Sequence, residues 1–173
     1  MRILALDLGT KTGWALRDTY PAPGEGSSGT WTLATAKEIR QQAQAGKNRT
    51  RDIRFWALRH NIEAMFPLDQ VWFEDVEFST YTYQTQLWAG FRTVVSLLPL
   101  GMDIHAVPVG TLKKFATGRG NADKAAMAQA LFQKHPTWLE AKSVVNWGRV
   151  VDDNEVDALH LLDYALHQNM TKI

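Results

Sequence analysis

Residues 2–16, RILALDLGTKTGWAL, decide the fold. Residues 2–8 are a short apolar run carrying a single carboxylate, Asp7. A glycine turn, Gly-Thr-Lys-Thr-Gly, follows, and a second apolar segment begins at Trp14. Two strand-like segments so close together predict an antiparallel hairpin over residues 2–8 and 13–18. An unpaired charge in apolar surroundings costs on the order of several kcal/mol or more, so something must be bound here. Either the turn cradles a phosphate, or Asp7 holds a metal.

Residues 29–34 read as a third strand, separated from the second by a Pro-, Gly- and Ser-rich loop. Residues 36–66 have the composition of one long helix, amphipathic towards its end, with Ile53, Trp56, Ala57, His60 and Met65 near one face and Pro67 as its stop. QVWFEDVEF, residues 70–78, is a strand. A helix is expected over residues 84–98, a strand over 103–107, a helix-like piece from Pro108 to Phe115 and a helix over 122–135. Residues 136–151 read as irregular, and the final helix spans about 152–169 with Val156, Leu159, Leu162, Ala165 and Leu166 on its apolar face. An opening meander followed by alternating helices and strands predicts a mixed sheet with helices on both sides.

The totals agree with one α/β domain: 173 residues, 45% hydrophobic and 21% charged, are those of a folded chain with a sizeable core. No apolar run approaches the roughly 20 residues that cross a bilayer, and nothing resembles a signal peptide. The chain has no cysteine, which excludes thiolate metal sites and fits a reducing cytoplasm. A net charge of +1 makes nucleic-acid binding a question of where basic residues cluster.

Three segments carry acids that the fold could bring together. Asp7 lies in the first strand, and Glu74 lies in an apolar strand on the side of Trp72. Asp153 and Asp157 stand four apart at the start of the last helix and so share a face, with Asn154 within reach of it. Capping accounts for acids at a helix start, but Asp157 lies beyond the first turn among apolar residues. Two strand carboxylates and a helical pair have the composition of a Mg²⁺ site suited to phosphodiester cleavage. No His-x-x-x-His pair is present for a protease-type zinc site.

These segments resemble those of the RuvC-like Holliday junction resolvases of the RNase H-like superfamily, particularly divergent phage-type members. ALDLGTKTGWAL is similar to the family's opening strand and turn, and WFEDVEF to its second acid motif. VPVGTLKKFATGRGNADKAAM resembles its lysine-bearing segment, and DDNEVDALHLLDYAL its closing helix. The four matches come in family order and span nearly the whole chain.

The resemblance implies a five-stranded mixed sheet of order 3-2-1-4-5. It also implies a site of two Mg²⁺ ions, or Mn²⁺, held by Asp7, Glu74, Asp157 and a partner acid. The partners would be four-way DNA junctions and a second copy of the chain. Lys113 or Lys114 and Lys124 match basic positions near the scissile phosphate, where an ammonium group stabilises developing charge. Arg119 and Lys11 are further candidate DNA contacts, and Tyr81 and Tyr83 candidate stacking residues.

The sequence departs from the bacterial pattern at two places. The earlier of the last two acids is replaced by Asn154, so the adjacent Asp153 is taken as the ligand, with Asn154 as the alternative. The position of the family's junction-facing aromatic is held by Glu77, with Phe78 nearby. A second basic run, Lys47, Arg49, Arg51, Arg54 and Arg59, is either a solvated helix face or an extra backbone contact. Competing readings are a YqgF-like RNA-processing nuclease, suggested by DLGTKTG, and a non-catalytic junction-binding protein. A sugar-kinase-like ATPase needs a second phosphate loop, for which the chain has no room.

Overall fold

A computed structural model describes residues 1–19, 26–44, 52–76, 81–135, 145–146, 149–150 and 152–171. The opening stretch folds as predicted, into β1 (Arg2–Asp7) and β2 (Lys11–Asp18), antiparallel to one another. The second strand starts two residues earlier than expected, so the turn is confined to residues 8–10. Thr12, wholly buried, closes that turn by donating its hydroxyl proton to the Gly9 carbonyl at 2.7 Å.

β3 (Ser27–Thr32) pairs antiparallel with β2, while β4 (Gln70–Asp75) and β5 (Asp103–Pro108) extend the sheet in parallel on the other side of β1. The order β3-β2-β1-β4-β5 is the one expected. Because β1 is central it must be apolar on both faces. Ile3 and Ala5 face one layer and Leu4 and Leu6 the other, all fully buried. At roughly 1.5–3 kcal/mol for each large apolar side chain, this strand anchors both cores.

The expected single helix over 36–66 is instead two among the described residues, α1 (Ala36–Gln44) and α2 (Ile53–Glu63). Asp52 starts the second by accepting a hydrogen bond from the Arg54 amide at 3.0 Å. The buried face of α2 also differs from the expected one. Leu58 and Ile62 face the core, whereas Trp56 and His60 are exposed. Arg54, expected in a solvated or DNA-facing run, is buried and bound to Asp52 through Nε at 2.8 Å.

α3 (Thr82–Ser96) packs with α2 on the Leu4–Leu6 face of the sheet. α4 (Val109–Thr117), α5 (Lys124–Lys134) and α6 (Asp153–Met170) cover the opposite face. Gly118 ends α4 in the left-handed region, φ 80°, which glycine adopts without strain. Within the stretch expected to be irregular, β6 (Val145–Asn146) and β7 (Arg149–Val150) form a short antiparallel pair.

The last helix is held at both ends. At its C-terminal end the amides of Gln70 and Asn169 bond reciprocally, at 3.1 and 2.9 Å, and Trp72 Nε1 donates to Gln70 at 2.9 Å. At its N-terminal end Ser28 of β3 donates to Glu155 at 2.7 Å, and Asp152 caps the helix.

Candidate metal centre

Two adjacent parallel strands end side by side at the site. Leu6 of β1 pairs with Phe73 of β4, so the next residues, Asp7 and Glu74, stand level. Each lies two positions beyond a residue of the α6-side core, Ala5 and Trp72, and so points to the layer of the last helix. On the other side of β1, Asp7 pairs with Gly13 of β2, which in turn pairs with Thr30 of β3. The first turn of α6 crosses this row over Gly13. That crossing places Asp157, one turn further along, beside Asp7 and Glu74.

The three carboxyl groups perturb one another as a cluster does. Burial, then the charges of Glu74 and Asp157, raise Asp7 well above the usual carboxylate range; Lys124 works against this. Glu74 is raised by burial and is partly relieved by a hydrogen bond from Asp7 and by the charge of Lys113. Asp157 is pushed up to about 7 by burial and by Glu74, against the pull of Lys113 and Lys124. Like charges crowded in a low-dielectric setting cannot all ionise, so the Asp7–Glu74 pair shares a proton, with Asp7 as donor.

Such a group of oxygen donors suits a hard divalent cation, which would take the place of the shared proton. No three His, Cys, Asp or Glu side chains among the described residues are arranged tightly enough to hold a metal ion as they stand. The hydrogen bond between Asp7 and Glu74 nevertheless brings two of the donors into contact, and Asp157 is within electrostatic reach of both.

The charges of Lys113 of α4 and Lys124, the first residue of α5, are felt by this cluster. Lys124 is also ion-paired with Asp153. Asp153 is therefore turned towards α5, while Asn154 sits over β2, its amide nitrogen donating to Asp152 at 3.1 Å. Asp152 remains ionised below the ordinary range. Its burial is outweighed by hydrogen bonds, first from the Thr30 hydroxyl, then from the Asn154 side chain and the Glu155 and Asn154 amides.

The other candidate residues stand apart from the carboxylates. Lys114 and Arg119 are exposed on α4 and the turn after it, and Lys11 is exposed at the start of β2. Tyr81 and Tyr83 are exposed at the start of α3, and the Tyr83 hydroxyl accepts from buried Arg54 at 2.7 Å. Arg59 is paired with Glu63 at 2.7 Å. Lys47, Arg49, Arg51, Glu77 and Phe78 lie outside the described residues.

Sequence reasoning missed several contributors. Gly13 was read as closing the turn and opening the second strand, but not as the strand residue whose missing side chain admits the backbone of α6. A glycine inside an apolar strand signals such close approach. Ser28 and Thr30 of β3 carried no signal, because their partners are more than a hundred residues away in sequence. The Asp75–Arg92 ion pair, 3.1 Å, walls a shallow cavity that opens beside Glu74 between β4 and α3.

No protein-family model matches this chain, and no characterised protein matches it by sequence. Solved structures do match. Thermus thermophilus RuvC in complex with a Holliday junction substrate aligns over 99% of this chain and 96% of its own, with a TM-score of 0.62 and 17% identity. The structure of Thermus thermophilus RuvC gives 0.57 and 15% over 99% of this chain and 97% of its own. The yeast mitochondrial Holliday junction resolvase Ydc2 gives 0.55 and 10% over 92% of this chain and 75% of its own. At these identities the likeness is one of fold: the chain has the RNase H-like fold of the RuvC-type resolvases.

Proposed function

We propose that this chain, built on the RuvC-type fold, is a divalent-metal-dependent endonuclease that cuts branched DNA such as four-way junctions. The observation that carries the proposal is the convergence of Asp7, Glu74 and Asp157 from two strand ends and the last helix. Their raised proton affinity means that the cation-free cluster is frustrated and gains by binding positive charge.

Asp7, Glu74 and Asp157 would hold Mg²⁺ or Mn²⁺, one ion or two, with Asp153 or Asn154 at the edge of the set. When bound, such an ion supplies Lewis-acid polarisation of the scissile phosphate and a lowered pKa for attacking water. The chain's own residues do the rest. The level ends of β1 and β4 hold two carboxylates rigidly, and α6 brings the third. Lys113 and Lys124 offer ammonium groups to the phosphate oxygens as negative charge builds there. Exposed Lys114, Arg119 and Lys11 extend the basic surface along a DNA backbone, where they position the duplex without reading its sequence. Exposed Tyr81 offers a face on which an unstacked base can rest. Cutting two strands of a symmetric junction calls for two such sites, so the working form is proposed to be a homodimer.

Incubation of the purified protein with an end-labelled four-way junction in Mg²⁺, with EDTA as control, tests the proposal. Metal-dependent incision is expected, with duplex DNA and structured RNA cut far less. Absence of incision on junction, flap and fork substrates alike overturns it.

A further inference from the structure

Lys124 breaks a local rule: it stands at the first position of α5, where the helix dipole disfavours a cation. Its place is set by the way α5 docks on α6. His160 Nε2, fully buried, bonds to the Met127 carbonyl at 2.8 Å, and His135, the residue that ends α5, bonds to Asp163 at 2.8 Å. With the two helices tied at these heights, the start of α5 lies beside the start of α6, and Lys124 meets Asp153.

That ion pair adds little stability. Its side chains are 75% and 33% exposed, and an exposed pair contributes about 0–1 kcal/mol. Its geometry is what distinguishes it. Asp153 lies a full helical turn before Asp157, so the ammonium it holds is still felt by Asp7 and Asp157.

Resting on the nuclease reading above, we infer that Asp153 is a positioning residue, not a cation ligand: it holds the Lys124 ammonium beside the Asp7–Glu74–Asp157 cluster but off it. Without that tether the ammonium of a flexible, mostly exposed lysine settles onto the nearest carboxylates and competes with a divalent cation for them. With it, the cluster stays open to the cation and the lysine stays within reach of a phosphate. The acidic residue next to Asn154 thus acts through Lys124.

Calorimetric titration of the DNA-free protein with Mn²⁺ separates the two roles. Asp153→Asn is expected to weaken Mn²⁺ binding by about three- to tenfold, and Asp153→Glu to restore most of the loss. In a Lys124→Met background, Asp153→Asn is expected to change the affinity by less than about twofold, because the group it acts through is gone. An equal loss in both backgrounds would make Asp153 a ligand and overturn the inference; no loss in either also overturns it. Failure of the parent protein to bind Mn²⁺ at all would defeat the nuclease reading instead. Circular dichroism of each variant confirms that the fold is kept.

Discussion

Gly13 lies so close to Asn154 that a β-carbon on the glycine would stand 1.8 Å from the Asn154 carbonyl oxygen. The contact is backbone against backbone, so no rotamer change can relieve it. It sets the height at which the last helix crosses the sheet, and with it the distance from Asp157 to Asp7.

Gly13→Ala is therefore expected to push α6 outward, costing about 2–4 kcal/mol of stability and most of the Mn²⁺ affinity. Gly90→Ala is the control. Its β-carbon would meet only the far end of the Phe55 ring, at 2.1 Å, in the core on the other face of the sheet. It is expected to lower the urea midpoint while leaving Mn²⁺ binding unchanged. Urea denaturation and calorimetry check both.

Asp7→Asn is expected to abolish incision while junction binding in a gel-shift assay is kept. It should also stabilise the cation-free protein, by about 1–2 kcal/mol at pH 8, since a neutral amide can still donate to Glu74 and has no proton to lose. Thermal melts in EDTA measure the gain. Unchanged incision would remove Asp7 from the site.

Stability without cation should fall as pH rises towards 8. Asp157 titrates at 3.8 when unperturbed and is pushed up to about 7 in the fold. Between those values the folded state binds more protons than the unfolded one. The contribution is complete below about pH 4 and is lost as pH rises through 7, a span of about 4 kcal/mol at most. Asp7 and Glu74 act in the same sense. Asp52 and Asp152, held below the usual range by their hydrogen bonds, lose their contribution in acid, so the optimum lies near pH 5. Millimolar Mg²⁺ is expected to flatten the alkaline side, which melts at a series of pH values would show.

Lys124→Met is expected to slow incision by about a hundredfold with a small change in junction affinity. Arg54→Met, by contrast, should leave incision and its salt dependence alone. It strands Asp52 and the Tyr83 hydroxyl at the junction of α2 and α3, at a cost of about 2–4 kcal/mol. Single-turnover cleavage and urea denaturation distinguish the two.

The sheet and the acids were legible because each is written locally. A buried central strand must be a continuous apolar run, so Arg2–Asp7 announced itself, and a carboxylate in such a run is conspicuous against it. The break between α1 and α2 was not legible. Helical composition continues through residues 45–51, and the restart rests on one capping aspartate, Asp52. Arg54 misled for a similar reason: a basic residue among basic residues gives no sign that a tyrosine far along the chain has closed over it.

By itself the sequence determined the five strands of the main sheet, the burial of the central one, and that Asp7, Glu74 and Asp157 are the acids in unexpected places. Those are consequences of period, apolarity and the cost of buried charge, all properties of a residue and its near neighbours. Tertiary structure alone decided which acid beside Asn154 faces what. That outcome depends on the height of α6 over Gly13 and the docking of α5 through His160 and His135, contacts made by residues far apart in the chain. No spacing within the last helix could reveal that Asp153 had found Lys124.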